Sequence, residues 1–232
     1  MPTNAAHFAG GIVLDFDDTI AATRESRSKI LRKVASSQFG IQISEEGINS
    51  NWGKPFDELL RCLAPTINEK EFSNVYADVM RRHPPKILPG VRHIFQEAYL
   101  NNIAILVLSS GSNQLVYQDI EAANLSDFVL KLWGYEDTSR HKPDPKVLEP
   151  ILAFSSSLGI SKNTLLSIGD STSDHHVAQR NGIPFIATLT GGHTQNDFLL
   201  AGLPKDRIVK NLSSIRLEGH TVFVKGKKMF SL

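Results

Sequence analysis

The sequence predicts an α/β fold: a doubly wound, mostly parallel sheet carrying a smaller inserted domain made only of helices. Strand and helix patterns alternate from residue 88 to residue 209, which is typical of a parallel sheet covered on both faces. A further apolar strand pattern, Ile12–Leu14, lies near the N-terminus. Between these parts, residues 21–86 have helical periodicity and no convincing strand. A chain of 232 residues is long enough for one large domain with an insert.

Two acidic residues, Asp15 and Asp17, directly follow the first strand pattern. While the chain stays extended, their side chains share one side and Phe16 points away. Acids at the carboxyl end of a buried strand lie where open α/β sheets bind ligands. Crowded carboxylates repel unless a cation or a shared proton relieves them, which suggests a metal site. Helix capping by Asp17, Asp18 or Thr19 is an equally good explanation at this point.

The segment 21–86 contains three helical repeats of apolar residues. The repeats are Ile30, Leu31, Val34 and Ala35; Phe56, Leu59, Leu60 and Leu63; and Phe72, Val75, Tyr76 and Val79. Pro84 and Pro85 end the last helix, because proline cannot continue it. We therefore predict a helical cap domain at 21–86 and an α/β core domain at 1–20 and 87–232. Such a lid can exclude water and select substrates.

Helices and strands alternate through the rest of the chain. The predicted helices are 91–100, 115–124, 145–158, 173–181 and about 196–201. The predicted strands are 103–108, 128–132, 164–168, 184–188 and 207–209. Beyond Asn211 the pattern is open: Thr221–Val224 fits an edge strand, and residues 226–228 fit a frayed end equally well.

A serine-rich turn, Ser109-Ser110-Gly111-Ser112, follows the strand at 103–108. A hydroxyl followed by glycine can offer its own O–H and free backbone N–H groups to an anion. An ordinary strand-to-helix turn with a serine N-cap explains the same residues.

Lys142 begins a Lys-Pro-x-Pro stretch in which Pro143 and Pro145 restrict the backbone around Asp144. A lysine held beside carboxylates can neutralise a bound phosphate as a point charge. The alternative is a solvated lysine ahead of a helix whose first residue is Pro145.

Two more acids, Asp170 and Asp174, follow the strand at 164–168 across a glycine turn that leads into a helix. They offer two hard oxygen ligands of the kind that Mg²⁺ prefers. Capping accounts for one of these acids but not for both. We do not expect the adjacent His175 and His176 to be ligands, because imidazole is a poor partner for Mg²⁺.

In order, the motifs Asp-x-Asp-x-Thr, Ser-Gly, Lys-Pro-x-Pro and Gly-Asp-x-x-x-Asp each follow their own strand pattern. This series resembles the haloacid dehalogenase superfamily, over about residues 10–209. The resemblance implies a doubly wound sheet with the first-motif strand in its centre and a small cap at 21–86. Relatives with this cap include phosphoglycolate phosphatases, β-phosphoglucomutases, phosphonoacetaldehyde hydrolases and the dehalogenases themselves.

The resemblance implies a catalytic role and a cofactor for the acids. Asp15 would be the nucleophile that forms an aspartyl-phosphate, and Asp17 would be the general acid and then the general base. Mg²⁺ would be bound by Asp15, the backbone carbonyl of Asp17, Asp170 and Asp174. Dehalogenase and phosphonatase members lack the second aspartate, so Asp17 favours phosphate esters as substrates.

The resemblance also implies groups that bind substrate. Ser110 and Lys142 would bind the phosphoryl oxygens, with Ser109 as an alternative to Ser110. Gly111 completes this turn, and Thr19 would order the loop of the first motif.

In the cap, residues 51–56 resemble the loop that reaches the substrate in phosphoglycolate-phosphatase-like members. Lys54 could there meet a substrate carboxylate or second phosphate, although a solvated lysine is at least as good an explanation. Arg24 has the same two interpretations.

We therefore predict a Mg²⁺-dependent phosphatase acting on a small-molecule phosphomonoester. A β-phosphoglucomutase-like phosphomutase is the nearest alternative, and a non-catalytic binding protein is a third. The net charge of +1 and the absence of an apolar run of about 20 residues favour neither nucleic acid nor membrane as a partner. With Cys62 as the single cysteine and no signal-peptide pattern at the N-terminus, we expect a cytoplasmic monomer or homodimer.

Overall fold

The computed structural model describes residues 8–232, so residues 1–7 of the predicted core domain lie outside the described residues. The strands are β1 Gly10–Leu14, β2 Ala21–Ala22, β3 Lys86–Ile87, β4 Ile103–Leu108, β5 Val129–Trp133, β6 Leu165–Gly169, β7 Phe185–Thr188, β8 Ile208–Val209, β9 Ile215–Glu218, β10 Thr221–Val224 and β11 Lys227–Ser231. The helices are α1 Arg24–Phe39, α2 Glu45–Asn51, α3 Phe56–Leu63, α4 Glu69–Arg81, α5 Val91–Leu100, α6 Asn113–Ala122, α7 Glu149–Ser157, α8 Thr172–Arg180 and α9 Gln195–Leu200.

Six of the strands within residues 8–232 form a parallel sheet in the order β5-β4-β1-β6-β7-β8. The central strand β1 is buried on both faces. Its Ile12 and Leu14 pack in one apolar cluster with Phe95 of α5, and Val13 packs in a second cluster with Val177 of α8. This burial explains why the strand is apolar at successive positions, and it confirms the predicted doubly wound α/β fold.

The helices α1–α4 pack around an apolar cluster of their own. Phe72 lies at its centre, with its ring centroid 5.1 Å from that of Phe39 and 6.0 Å from that of Tyr76. The sequence expectation of no strand within 21–86 is wrong at the two ends of this segment. There β2 and β3 pair antiparallel, with Ala21 opposite Ile87. Two-residue strands are too short to produce a periodic pattern, so only their pairing reveals them.

The alternating part of the chain follows the predicted elements with shifts of one or two residues at most ends. The largest difference is at residues 145–158, where a 3₁₀ turn at Pro145–Leu148 precedes α7. Among residues 8–232, no helix is both long enough and apolar enough to cross a bilayer.

The C-terminal tail forms a three-stranded antiparallel sheet in the order β11-β10-β9. Thr221–Val224 is therefore its central strand, so the edge-strand expectation is wrong, and so is the frayed end at 226–228. Lys225 and Gly226 connect β10 to β11 with φ values of 51° and 77°. Positive φ at both loop residues is the geometry of a tight hairpin turn. A lysine at the first of these positions gives no clear hairpin signal in the sequence.

Candidate active site

The polar residues after β1, β4 and β6 meet at one edge of the sheet because these three strands are parallel neighbours. Leu14, the last residue of β1, pairs with Val107 of β4 and Ile168 of β6. The chain therefore leaves the sheet at nearly the same level at Asp15, Ser109 and Asp170. This is the edge at which open α/β sheets bind their ligands.

Three carboxylates form the centre of the site. Asp15, Asp170 and Asp174 each place an oxygen atom within 4.8 Å of the others. Lys142 Nζ lies 2.6 Å from Asp15 Oδ1, 2.6 Å from Asp174 Oδ1 and 2.9 Å from the carbonyl oxygen of Leu108. The lysine side chain is only 8% exposed, so the solvated alternative for Lys142 does not apply.

One lysine does not balance the negative charge of this cluster. Burial raises the pKa of Asp15 to about 7; the Asp174 and Asp17 carboxylates raise it further, and Lys142 opposes them. Burial, with Asp15 and Asp174 nearby, also raises the pKa of Asp170 well above its ordinary range. Asp15 Oδ2 is buried and has no hydrogen-bond partner within residues 8–232. A hard divalent cation fits these donors, because it would use the free oxygen and offset the excess charge.

Asp174 also begins helix α8. Its Oδ2 accepts hydrogen bonds from the backbone N–H of Ser171, at 3.2 Å, and from the Ser171 hydroxyl, at 2.5 Å. The Ser171 hydroxyl oxygen in turn accepts from the N–H of Asp174, which completes a capping box. The cap leaves Oδ1 for Lys142, so one side chain serves both helix capping and the carboxylate cluster.

The loop after β7 packs directly against the cluster. A Cβ atom at Gly191 would lie 1.7 Å from Asp170 Oδ2, so only glycine fits there without displacing this carboxylate. On the opposite side, the Thr19 hydroxyl lies 3.4 Å from Asp170 Oδ1. Asp170 is thus confined between the first-motif loop and the Gly191 loop. The sequence prediction included Thr19 and missed Gly191, because nothing in the local sequence ties that loop to Asp170.

The Asp17 carboxylate lies near Asp15 but is not one of the three clustered carboxylates. Its Oδ1 forms an ion pair with Arg27, and its Oδ2 lies 3.2 Å from the Ser109 hydroxyl. The Ser109 oxygen also accepts a hydrogen bond of 2.9 Å from the N–H of Gly111. The hydroxyl brought to Asp17 is therefore that of Ser109 rather than that of Ser110, and Gly111 lies beside both groups.

Residues 12–188 match the family of haloacid dehalogenase-like hydrolases, and this range includes the carboxylate cluster, Lys142 and Asp17. The chain belongs to this family. It is therefore a member of a family of hydrolytic enzymes, and the predicted resemblance is confirmed.

Individual relatives of this hydrolase are distant. A phosphoglycolate phosphatase from Rhodobacter capsulatus is 22% identical over 192 residues, which are 79% of this chain and 85% of the relative. The pyrophosphatase PpaX from Oceanobacillus iheyensis is 22% identical over 206 residues, 88% of this chain and 94% of the relative. The crystal structure of β-phosphoglucomutase from Clostridium difficile superposes with a TM-score of 0.69 at 17% identity, covering 90% of this chain and 94% of that one. At this identity, the structural similarity shows the fold alone.

Asp18 of the hydrolase holds the start of helix α1. Its φ is 58°, a left-handed conformation that aspartate tolerates better than most residues. Its Oδ1 accepts hydrogen bonds from the N–H groups of Thr23, at 2.9 Å, and Arg24, at 3.1 Å. The capping that the sequence suggested as an alternative for this motif is thus performed by Asp18, which leaves Asp15 and Asp17 for the site.

Two residues of the helical segment 21–86, Lys54 and Arg24, each had two interpretations, and the structure places them differently. Lys54 is exposed, and its Nζ lies 2.8 Å from Asn51 Oδ1 and 3.7 Å from the sulfur of Cys62. Within residues 8–232, no hydrogen bond or ion pair joins Lys54 to the carboxylate cluster. The Arg24 guanidinium instead lies against the loop beside Asp170, since a Cβ atom at Gly192 would be 1.7 Å from its Nη1.

His175 directly follows Asp174 in α8. His175 is buried against the ring of Phe185, with centroids 5.4 Å apart, and burial lowers its pKa.

Proposed function

We propose that this hydrolase is a Mg²⁺-dependent phosphatase that hydrolyses a small phosphomonoester through an aspartyl-phosphate on Asp15. The observation that carries the proposal is the buried Asp15 carboxylate, bound by Lys142 on one oxygen and free on the other, beside Asp170 and Asp174. Asp15, Asp170 and Asp174, with the backbone carbonyl of Asp17, would bind the cation. When bound, Mg²⁺ would offset the repulsion between an anionic nucleophile and an anionic substrate.

In the first step, a carboxylate oxygen of Asp15 attacks phosphorus and the bond from phosphorus to the ester oxygen breaks. Asp17 donates a proton to the departing oxygen, which would otherwise leave as a strongly basic alkoxide. In the second step, Asp17 takes a proton from water, the water oxygen bonds to phosphorus, and the bond to Asp15 breaks. Asp17 is suited to both steps because it lies two residues beyond the nucleophile and outside the carboxylate cluster.

Three groups would stabilise the charge on the phosphoryl oxygens. Lys142 supplies a buried positive charge, and the serine turn supplies a hydroxyl together with the N–H of Gly111. We propose Ser109 for the hydroxyl, in preference to Ser110, because Ser109 lies against Asp17. Its single O–H would turn from Asp17 Oδ2 to a phosphoryl oxygen when substrate binds. Thr19 would act on substrate binding indirectly, by ordering the loop that holds Asp170.

The relatives named phosphoglycolate phosphatase and pyrophosphatase support a small anionic substrate. Residues 21–86 would be a cap domain that covers the site, and Lys54 would meet a second anionic group on the substrate. Because β-phosphoglucomutases share the fold, a phosphomutase remains the second candidate. It would yield a sugar phosphate rather than free phosphate. A cytoplasmic location and a monomer or homodimer are our remaining expectations.

The test is phosphate release with and without Mg²⁺ from phosphoglycolate, hexose phosphates, nucleotides and pyrophosphate. We expect metal-dependent release from at least one ester, and its loss in Asp15→Asn. Release that survives Asp15→Asn would refute the choice of nucleophile. Transfer of phosphate between sugar positions without net release would favour the mutase.

A further inference from the structure

An arginine from the helical segment is buried against the predicted acid and base. Arg27 of α1 is 8% exposed. Its Nη1 forms an ion pair with Asp17 Oδ1, and its Nη2 lies 2.5 Å from Asp119 Oδ2. Taking a guanidinium out of water is costly unless its charge is paired. Both carboxylates are therefore needed to hold Arg27 in place.

The triad of Arg27, Asp17 and Asp119 joins three separate elements. Arg27 lies in the helical segment, Asp17 follows the central strand β1, and Asp119 lies in α6 on the core. The Arg27 carbonyl is also 3.4 Å from the hydroxyl of Tyr76 in α4, and its guanidinium carbon is 5.8 Å from the ring centroid of Phe16. These contacts give the guanidinium a defined place between segment and core.

Arg27 restricts the orientation of the Asp17 carboxylate. The terminal torsion of an aspartate has a broad, roughly two-fold preference, so the side chain does not select one orientation by itself. In this site, Arg27 binds Oδ1 and the Ser109 hydroxyl donates to Oδ2. If Arg27 were removed, one oxygen would lose its partner and the carboxylate could rotate.

We propose that Arg27 is a positioning residue, anchored by Asp119, that aims Asp17 at the oxygen of the leaving group while the helical segment lies over the core. This inference rests on the proposed phosphatase activity. It adds a dependence of proton transfer on the placement of the helical segment. Arg27 itself need not touch the substrate.

The experiment compares two small substrates, a phosphate ester and an acyl phosphate, whose leaving groups differ in their need for a proton. Phosphoglycolate releases glycolate through a basic alkoxide oxygen that must be protonated, whereas acetyl phosphate releases acetate, which needs no proton. For Arg27→Met, we expect kcat/KM to fall about 100-fold with phosphoglycolate and less than about 10-fold with acetyl phosphate, since general acid catalysis contributes ~10²–10⁴-fold. Arg27→Lys should recover part of the difference.

The control is Arg32→Met on the same helix, where Arg32 pairs with Glu45 at 3.3 Å and is 47% exposed. We expect the kcat/KM of this variant to equal that of the wild type with both substrates. Should Arg27→Met fail to fold, Asp119→Asn keeps the side-chain shape and should change the ratio of the two kcat/KM values in the same direction.

Equal losses of kcat/KM with both substrates would show that Arg27 forms only a structural ion pair, and would overturn the inference. If Arg27→Met does not fold, an unchanged ratio of the two kcat/KM values in Asp119→Asn would overturn it as well. A wild-type protein that releases phosphate with Mg²⁺ from no substrate of the wider panel would instead refute the proposed function, and the positioning role with it.

Discussion

Without a bound cation, the stability of this protein should fall as pH rises, because the buried carboxylates must then ionise with too little positive charge beside them. The pKa of Asp15 is about 7 in the folded protein, against an ordinary value of 3.8. A carboxyl whose pKa is raised on folding contributes stability below its unfolded pKa. That contribution is lost as pH rises through its folded pKa. For Asp15 the window therefore runs from about pH 4 to about pH 7.

The size of the effect follows from the shift in pKa. A shift of about 3 units at ~1.4 kcal/mol per unit gives about 4 kcal/mol at about pH 8 for Asp15. Roughly 2–3 kcal/mol of this appears between pH 5 and pH 8. For a chain of this length that corresponds to a decrease in Tm of about 5–10 °C. If the proposed site binds Mg²⁺, added Mg²⁺ should oppose the decrease, since a ligand that binds only the folded chain stabilises it.

The assay is thermal unfolding in EDTA and in Mg²⁺ across this pH range, with Asp15→Asn as the matched variant. Other groups also titrate, so the difference between variant and wild type is used; it reports Asp15 together with its effect on the pKa of Asp170. In EDTA, we expect Tm of Asp15→Asn relative to wild type to rise with pH. A difference that stays constant or shrinks as pH rises would refute the reasoning, as would an effect of Mg²⁺ that is larger at low pH.

Three further substitutions test the parts of the site. Gly191→Ala would force Asp170 to move by more than about 1 Å and should raise the Mg²⁺ concentration for half-maximal activity at least ~10-fold, measured by metal titration of phosphate release. Ser109→Ala should lower kcat/KM about 100-fold and Ser110→Ala less than about 10-fold, measured by steady-state phosphate release. Lys54→Ala should raise KM for a substrate with a second anionic group and leave kcat unchanged, measured with phosphoglycolate.

Each of these three substitution predictions has a result that would contradict it. For the glycine, the comparison is Gly192→Ala, whose new methyl group meets only the flexible end of Arg24, so equal metal dependence in both alanine variants would argue against a clash with Asp170. For the serines, a larger loss of kcat/KM in Ser110→Ala than in Ser109→Ala would indicate that Ser110, not Ser109, contacts the phosphoryl group. For Lys54, an unchanged KM in Lys54→Ala would show that this lysine does not contact the substrate.

Much of the site could be predicted because its residues lie at the ends of strands. Apolar runs locate β1 and β6, and the positions of Asp15 and Asp170 follow from the geometry of a parallel sheet. The position of Lys142 required more than local pattern. It stands alone before a helix, and only the order of the four motifs tied it to the acids.

Contacts between distant segments could not be predicted. Arg27 lies in a helix rich in charged residues, and no local pattern distinguishes it from the exposed Arg32. Its partner Asp119 is 92 residues away. The choice between Ser109 and Ser110 depends on how the backbone turns after β4, which two adjacent serines do not encode. The β2–β3 pair could not be predicted for the same reason: each strand has two residues and is recognised only by its pairing with the other, about 65 residues away.

The most direct test of the account is the location of the phosphorylated residue. The wild-type protein would be mixed with Mg²⁺ and acetyl phosphate, quenched in acid and digested, and the peptides analysed by mass spectrometry. We predict a phosphate adduct on the peptide containing Asp15, and its absence from Asp15→Asn. Phosphate release accompanied by an adduct on any other residue, or by none at all, would contradict the aspartyl-phosphate mechanism.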